Sequence, residues 1–263
     1  MPSTSFVTRF APSPTGRLHL GHAISALTAF DAAQAAGGRF LLRIEDIDHT
    51  RARPAFEAGI YKDLAWLGLE WETPVRRQSD HLDDYDAALA RLEAQGLIYR
   101  CFKTRKELAE AALSAPHGPS PALTPGPSAA EDEARWLAEG RAFVEEGRGP
   151  AGEHGRLHAE PERLGDVVLA RKDVGVAYHL AVVVDDAAQG VTHVIRGEDL
   201  HEAAHVQRLL QALLGLPTPV YRHHRLLLGA DGQRLAKRNG GETLQDLRAQ
   251  GVAPSEVRAR LGL

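Results

Sequence analysis

The sequence predicts an α/β protein with a parallel sheet, a small inserted α/β subdomain and a short helical C-terminal stub. Three observations carry that expectation. Strand, helix and strand follow one another within Ser5–Asp48, a proline- and glycine-rich stretch interrupts the pattern at Ser114–Glu133, and β-branched runs and a helix resume beyond it. A strand–helix–strand unit with parallel strands is the seed of a Rossmann-type sheet, and such sheets bind ligands at their carboxyl edge.

Taken in order, Ser5–Phe10 reads as a strand that stops at Pro12 and Pro14, because proline donates nothing to a ladder. Gly16 turns the chain, and from about Leu18 the apolar Leu20, Ile24, Leu27 and Phe30 fall at helical spacing until Gly37-Gly38. RFLLRIEDID, from Arg39, is a buried strand ending in carboxylates, and helices follow at Pro54–Leu67 and Leu82–Gln95. Ser114–Glu133 is too rich in proline, glycine and small residues to bury a core and reads as a surface loop inside an insertion. EARWLAEGRAFVEE after it looks helical. In Gly165–Leu200, β-branched runs separated by Asp-Val-Gly and Ala-Gln-Gly signal strands and tight turns, and His201–Leu216 is a helix closing at Gly215 and Pro217. The expected organisation is 1–98 for the first half of the sheet domain, 99–165 for the insertion with its loop at 114–133, 166–228 for the second half, and 229–263 for a loop and stub.

Composition narrows the function classes. The 263 residues carry a formal charge of −4, so no global field pulls the chain toward nucleic acid, and an RNA partner has to be held by local basic patches. Such patches occur at Lys103–Lys106, Tyr221–Arg225 and Arg234–Arg238. A single cysteine, Cys101, excludes an internal disulfide framework and cannot by itself build a zinc site. The apolar runs are too short for a membrane span and the N-terminus lacks signal-peptide order, which makes the cytoplasm the expected location and leaves no membrane partner.

Three constellations carry chemistry. His19-Leu-Gly-His22 stands at a helix start, where unpaired amides and the helix dipole attract phosphate; Gly21 admits a close ligand, and two imidazoles can donate to phosphate oxygens. The same pair also fits a plain polar helix end. In LLGADGQRLAKRNGGETL, a glycine-hinged basic loop can swing Lys237 onto a polyphosphate or stay a solvated loop. Finally, Arg9, Glu45, Tyr178 and Arg196 fall where strands would deliver them to one crevice. Two guanidiniums and a carboxylate there suit an amino acid with an extra carboxylate, or pair among themselves.

Together, RFAPSPTGRLHLGH, RIEDID, YHLAVVVDD, HVIRGEDL and RLAKR resemble the catalytic domain of class I aminoacyl-tRNA synthetases, in the glutamyl branch, over nearly the whole chain outside the Pro-rich stretch. The resemblance implies a HUP-like nucleotide-binding domain in which an HIGH element and a KMSKS loop flank ATP. Only ETLQDLRAQGVAPSEVRARLGL follows the loop, room for about one or two short helices, where full glutamyl-tRNA synthetases carry a large anticodon-binding region. Val182, four residues after Tyr178, also replaces the Asn typical of the full-length enzymes. The chain is therefore most similar to the short glutamyl-Q tRNA(Asp) synthetase family.

That resemblance implies an ATP-dependent ligase that activates L-glutamate without tRNA and passes it to the queuosine base of tRNA(Asp), acting as a monomer with Mg2+ on the nucleotide. The family's glutamate-binding set falls on Arg9, Ala11, Ser13, Glu45, Tyr178 and Arg196. Its ATP-binding set falls on Pro12, His19, Gly21, His22, Arg234, Leu235, Ala236, Lys237 and Arg238, with His19, His22 and Lys237 as the catalytic donors. Two departures matter. Ala236 stands where the KMSKS serine would be, and Lys103 replaces a family zinc ligand after Cys101, so no structural zinc is expected. The alternatives are a truncated glutamyl-tRNA synthetase charging the 3′ end of tRNA(Glu), a small-molecule adenylyltransferase, and a catalytically silent RNA-binding paralogue.

Overall fold

The computed structural model describes residues 6–102, 144–147, 166–172, 175–227 and 242–263. The surface-loop expectation for Ser114–Glu133 and the site residues Arg234–Arg238 therefore lie outside the described residues. The chain divides into two compact units. One comprises Met1–Asp80, Ala188–His201 and Pro219–Leu263; the other comprises His81–Ala187 and Glu202–Thr218.

In the first unit, β1 (Val7–Phe10) leads through α1 (Leu20–Ala35) to β2 (Arg39–Ile44), then α2 (Pro54–Trp66) and the short β3 (Arg76–Arg77). β2 pairs in parallel with β1 on one side and with β3 on the other. The turn after α1 works because Gly37 takes φ +58°, a left-handed conformation at which a side chain is strained. Later in the chain β8 (His193–Gly197) pairs in parallel with β9 (Val220–His224). β8 lies beside β1, where the Thr192 amide donates to the Val7 carbonyl at 2.9 Å and the Val7 amide to Thr192 Oγ1 at 2.8 Å. The amino ends of β1 and β8 meet at that point and the strands stay in contact beyond it, so they too run parallel. The three-stranded sheet β1-β2-β3 and the two-stranded sheet β8-β9 thus abut at β1 and β8, with β1 between β2 and β8, the kind of position at which open α/β sheets bind ligands.

One core binds this unit. α1 buries Ala23, Ile24, Ala26, Leu27, Ala29 and Ala33, small residues that let it lie close to the strands. The two C-terminal helices, α6 (Leu244–Ala249) and α7 (Pro254–Leu261), join the same core through Leu244, Leu247, Val257 and Leu261. The stub is thus two short helices packed on α1 and α2.

The second unit holds α3 (Leu82–Ala94), then β4 (Ile98–Cys101), β5 (Val144–Gly147), β6 (Val167–Arg171) and β7 (Gly175–Val176), an antiparallel sheet in that order. It also holds α4 (Tyr178–Ala188) up to Ala187, and α5 (His201–Leu213) from Glu202. Two expectations are corrected here. The end of the helical reading EARWLAEGRAFVEE is strand: Val144–Gly147 pairs with β4 and β6, so sheet context overrides the local helix propensity. The β-branched run after Tyr178 is helix α4, and Tyr178 heads that helix where a strand end was expected. Leu180, Ala181, Val182, Val183, Asp185 and Asp186 are all buried, so the helix is covered on most sides. Its buried Asp185 accepts a hydrogen bond from the buried Tyr85 hydroxyl at 2.9 Å, anchoring α4 to α3.

In the first unit, Asp63 on α2 is buried, and Arg248 on α6 lies 3.2 Å from its carboxylate. Burial raises the carboxyl's pKa while Arg248 and Arg17 lower it and Asp246 raises it further. Truncating Arg248 leaves that charge buried without its nearest cation. Arg248→Ala is expected to lower the unfolding free energy by about 2 kcal/mol, and Arg248→Ala with Asp63→Asn to recover part of the loss, both read by chemical denaturation.

Candidate active site

The carboxyl ends of these parallel strands are shaped by the local sequence around each strand end. Pro12 and Pro14 end β1 and their carbonyls are used: the Glu45 amide donates to Pro12 O at 3.1 Å and the Arg53 amide to Pro14 O at 3.0 Å. This seats the segment Ala11–Ser13 beside the end of β2, with Ser13 exposed and Pro12 buried.

His19 then caps α1. Its Nδ1 accepts the Gly21 amide at 3.0 Å, and His22 Nδ1 accepts the His19 amide at 3.2 Å, a reciprocal capping box made of two histidines whose ring centroids are 4.0 Å apart. The amides of His22 and Ala23 bond to His19 O. The helix start is therefore less open than the sequence suggested, since the capping box takes up the Gly21 and His22 amides. In exchange, a neutral imidazole accepting at Nδ1 carries its proton on Nε2, so each ring presents an N–H donor on the side away from the cap. Gly21 also takes on a different reason. A Cβ there would stand 2.9 Å from His19 Cε1 and 3.0 Å from Nδ1, so glycine first makes room for the capping ring.

Beside α1, Ser25 Oγ lies 2.8 Å from His224 Nε2 at the end of β9. On the other side, His19 bridges Thr243, and the Leu244 amide donates to Leu18 O at 2.9 Å. Thr243 heads α6 in a second capping box with Asp246, whose carboxyl the Thr243 hydroxyl and amide hold below its usual pKa. Both flanks of residues 228–241 are thereby moored to the first turns of α1.

The charged residues of the edge are held from several directions. Arg9, in β1, and Arg196, in β8, are both buried. Arg43, fully buried in β2, donates to Glu45 Oε1 at 3.1 Å and to Gln189 Oε1 at 3.0 Å, so Glu45 is fixed by its strand neighbour two residues back. Arg196 Nε donates to His223 Nε2 at 3.3 Å and Nη2 to Leu200 O at 3.0 Å, while its Cζ stands 5.0 Å over the Tyr221 ring. Asp46, the second acid of RIEDID, is not a ligand-facing group: it accepts from the Ser79 amide and hydroxyl at 2.8 and 2.7 Å and from Arg77 at 3.2 Å, tying β3 to β2.

Of the residues singled out from sequence, Arg9, Ala11, Pro12, Ser13, His19, Gly21, His22, Glu45 and Arg196 belong to this one unit, on β1, β2, β8 or the segments that follow them. Tyr178 heads α4 in the other unit. Sequence reading took Tyr221 and His223 only as part of the basic patch Tyr221–Arg225, not as braces of Arg196, and missed Ser25 and the Thr243 cap; the cap had a signal, the Thr-x-x-Asp of a capping box in TLQD.

A family model described as tRNA synthetases class I (E and Q), catalytic domain, matches residues 5–122 and 152–263. A protein of Rhodobacter capsulatus named glutamyl-Q tRNA(Asp) synthetase is 50% identical, over 98% of this chain and 100% of its own length. One of the same name from Nocardia farcinica is 45% identical over 99% and 85%. Glutamate–tRNA ligase 1 of Paracoccus denitrificans is 40% identical over 97% of this chain and 60% of its own. Among solved structures, a glutamate tRNA ligase from Elizabethkingia meningosepticum in complex with its amino acid is 29% identical with a TM-score of 0.72; the match covers 90% of this chain and 52% of that one, so this chain spans about half its length. No helix of the described residues is long and apolar enough to cross a membrane.

The site geometry sets two spectroscopic expectations. His19 and His22 are Nε2–H tautomers in long-range 1H–15N spectra at neutral pH, and Gly21→Ala displaces the His19 ring and alters its pattern. His223 is driven down to about 4 by burial first, then by Arg196, His201 and His224, against the opposing pull of Asp199. Its folded value lies below the unfolded one, so the stability it contributes is present above about pH 6.5 and is lost as pH falls toward 4. An NMR titration is expected to find His223 neutral down to about pH 5; a midpoint near 6.5 would contradict the geometry.

Proposed function

The chain belongs to the class I tRNA synthetases of the glutamate and glutamine branch and is a ligase; from that premise we propose that it activates L-glutamate with ATP and transfers it to the queuosine base of tRNA(Asp). In the first step a glutamate α-carboxylate oxygen attacks the α-phosphorus of ATP, forming glutamyl-adenylate as pyrophosphate leaves. In the second, a queuosine hydroxyl attacks the activated carbonyl and AMP leaves. Activation precedes any contact with tRNA. The reading has the protein acting as a monomer in the cytoplasm.

The observation that carries the first step is the double mooring at α1: the flanks of residues 228–241 are tied to Ser25 and to Leu18–His19, next to the paired imidazoles. Lys237 and its neighbours Arg234, Leu235, Ala236 and Arg238 fall in the sequence between those two flanks and are the residues proposed for the ATP phosphates together with Pro12, His19, Gly21 and His22. The described residues offer N–H donors at this point, so Mg2+ fits as the companion of the ATP phosphates, lending charge neutralisation when bound. On the amino-acid side, Arg9 and Arg196 suit the carboxylates of glutamate, Glu45 its ammonium, and Ala11 and Ser13 the adjoining wall; Tyr178 is proposed for the same ligand on the family resemblance of its motif alone. Catalysis by such a set is positioning and charge stabilisation, with no protein nucleophile.

The acceptor rests on the relatives named glutamyl-Q tRNA(Asp) synthetase, one of which matches this chain along its whole length. The competing acceptor, the 3′ end of tRNA(Glu), is favoured by the relative named glutamate–tRNA ligase. Glutamate-dependent pyrophosphate exchange without tRNA is the expected result, followed by labelling of queuosine-containing tRNA(Asp) and not of the queuosine-lacking form. Labelling of tRNA(Glu) at a periodate-sensitive 3′ end would instead establish the second acceptor. Removing one charge-stabilising donor typically costs about 3 kcal/mol, so His19→Ala and Lys237→Ala should each slow exchange about a hundredfold. Near-wild-type exchange in both would overturn the site assignment.

A further inference from the structure

α5 opens with His201-Glu202-Ala203-Ala204-His205, which puts two histidines one helical turn apart and a glutamate beside the first. Side chains at i and i+4 of a helix are neighbours, with Cβ atoms about 6 Å apart. All three residues belong to the first two turns of this one helix, so the helix itself sets their spacing. A nitrogen of each imidazole and a carboxylate oxygen of Glu202 fall within 4.8 Å of one another. Among the described residues, no other three histidine, cysteine, aspartate or glutamate side chains come together in this way.

Ligand atoms about 2.1 Å from a tetrahedral zinc ion stand about 3.4 Å from each other, so atoms within 4.8 Å need to close by no more than about 1.4 Å. His201 and Glu202 are exposed and can make that movement by side-chain rotation, while His205 is half-buried and loses less freedom when it coordinates. The donor set chooses the ion. Two imidazoles and a carboxylate suit zinc and its late first-row neighbours, whereas Mg2+ and Ca2+ take shells of oxygen. Two effects work against an ion here. The positive end of the helix dipole lies at the same turn, and the charge of Glu202 offsets it. The His201 ring also packs 5.1 Å from that of His223, and all three side chains take part in further interactions, so a metal has to compete for them. Both effects place the affinity below that of four-ligand structural zinc sites.

We propose that His201, Glu202 and His205 form a surface site for Zn2+ or a related late first-row cation, with water completing its coordination, and that the ion ties the first turn of α5 to the second. The same His-Glu-x-x-His spacing on a helix holds zinc in metalloproteases, where the glutamate is a base and not a ligand. Here the carboxylate belongs to the ligand group, so the site binds an ion and does not hydrolyse peptides.

Zinc binding is measured on the full chain, without ATP or tRNA, by competition with a chromophoric chelator. The chain has 13 histidines that offer an ion other places, so variants make the assignment. Wild type is expected to bind Zn2+ with a Kd on the order of 10 μM. His201→Ala and His205→Ala are each expected to weaken binding at least about tenfold and Glu202→Gln about threefold, while His81→Ala, before α3, leaves it unchanged. Zinc at about 100 μM should raise Tm by about 2 °C in wild type and leave the double variant His201→Ala/His205→Ala where it was. A measurement on wild type alone needs no variant to fold: in 1H–15N spectra of the imidazoles, the first equivalents of Zn2+ are expected to shift His201 and His205. A Kd above about 1 mM, unchanged affinity in both histidine variants, or early shifts confined to other histidines would each overturn the proposal.

Discussion

Three arginines stand on three neighbouring strands, Arg43 on β2, Arg9 on β1 and Arg196 on β8, and all three are buried. Taking a guanidinium out of water is costly unless its donors find acceptors, so these positions dictate much of what surrounds them. Arg43 is answered by Glu45 and Gln189. Arg196 is answered by an imidazole, a carbonyl and an aromatic face. The two solutions differ in kind: Arg43 meets a carboxylate and a side-chain amide oxygen, which stiffens the end of β2, whereas Arg196 donates to a ring nitrogen and a main-chain carbonyl and lies over an aromatic face. A carboxylate has about four lone-pair sites, so Glu45 can accept further hydrogen bonds after pairing with Arg43.

The β1–α1 turn solves a different problem by similar means. A helix start exposes amide donors, and here two histidines absorb them in a reciprocal cap. Capping consumes the Nδ1 atoms and leaves the proton of each neutral ring on Nε2. The donor capacity of the helix end is thus transferred from the backbone to two side chains, which reach farther and turn together because their rings touch. Glycine at 21 follows from this arrangement, since any Cβ would press on the ring that makes the cap.

Much of this was legible in the sequence where a local rule governs. The prolines after β1, the glycine after α1 and the helical patterns of α2 and α3 placed those elements to within about two residues, as capping and periodicity rules allow. The stretch after Tyr178 was misread, because three consecutive β-branched valines favour strand by local propensity while burial on most sides of the helix decides the outcome. Its 11-residue length, longer than most strands, was the usable clue. At the site, the charged residues stood out by type, but their braces did not. His223, Tyr221 and Ser25 act through strand register and helix contact, and neither is written in residue order.

The C-terminal helices show why those long-range contacts matter. Leu244 and Leu247 of α6 and Val257 and Leu261 of α7 share one core with Leu27 of α1 and Leu64 of α2. Arg258 binds Asp31 with two hydrogen bonds, at 2.8 and 2.9 Å, and Arg225 donates to Leu261 O. These contacts make the stub a fixture of the sheet domain, and through it Thr243 is held against His19. The long-range contacts therefore carry the position of Thr243 back to the start of α1: the helices that hold it there are part of the domain's own hydrophobic core, and a change in that core at Leu244 or Leu247 acts on the capping histidine without touching it.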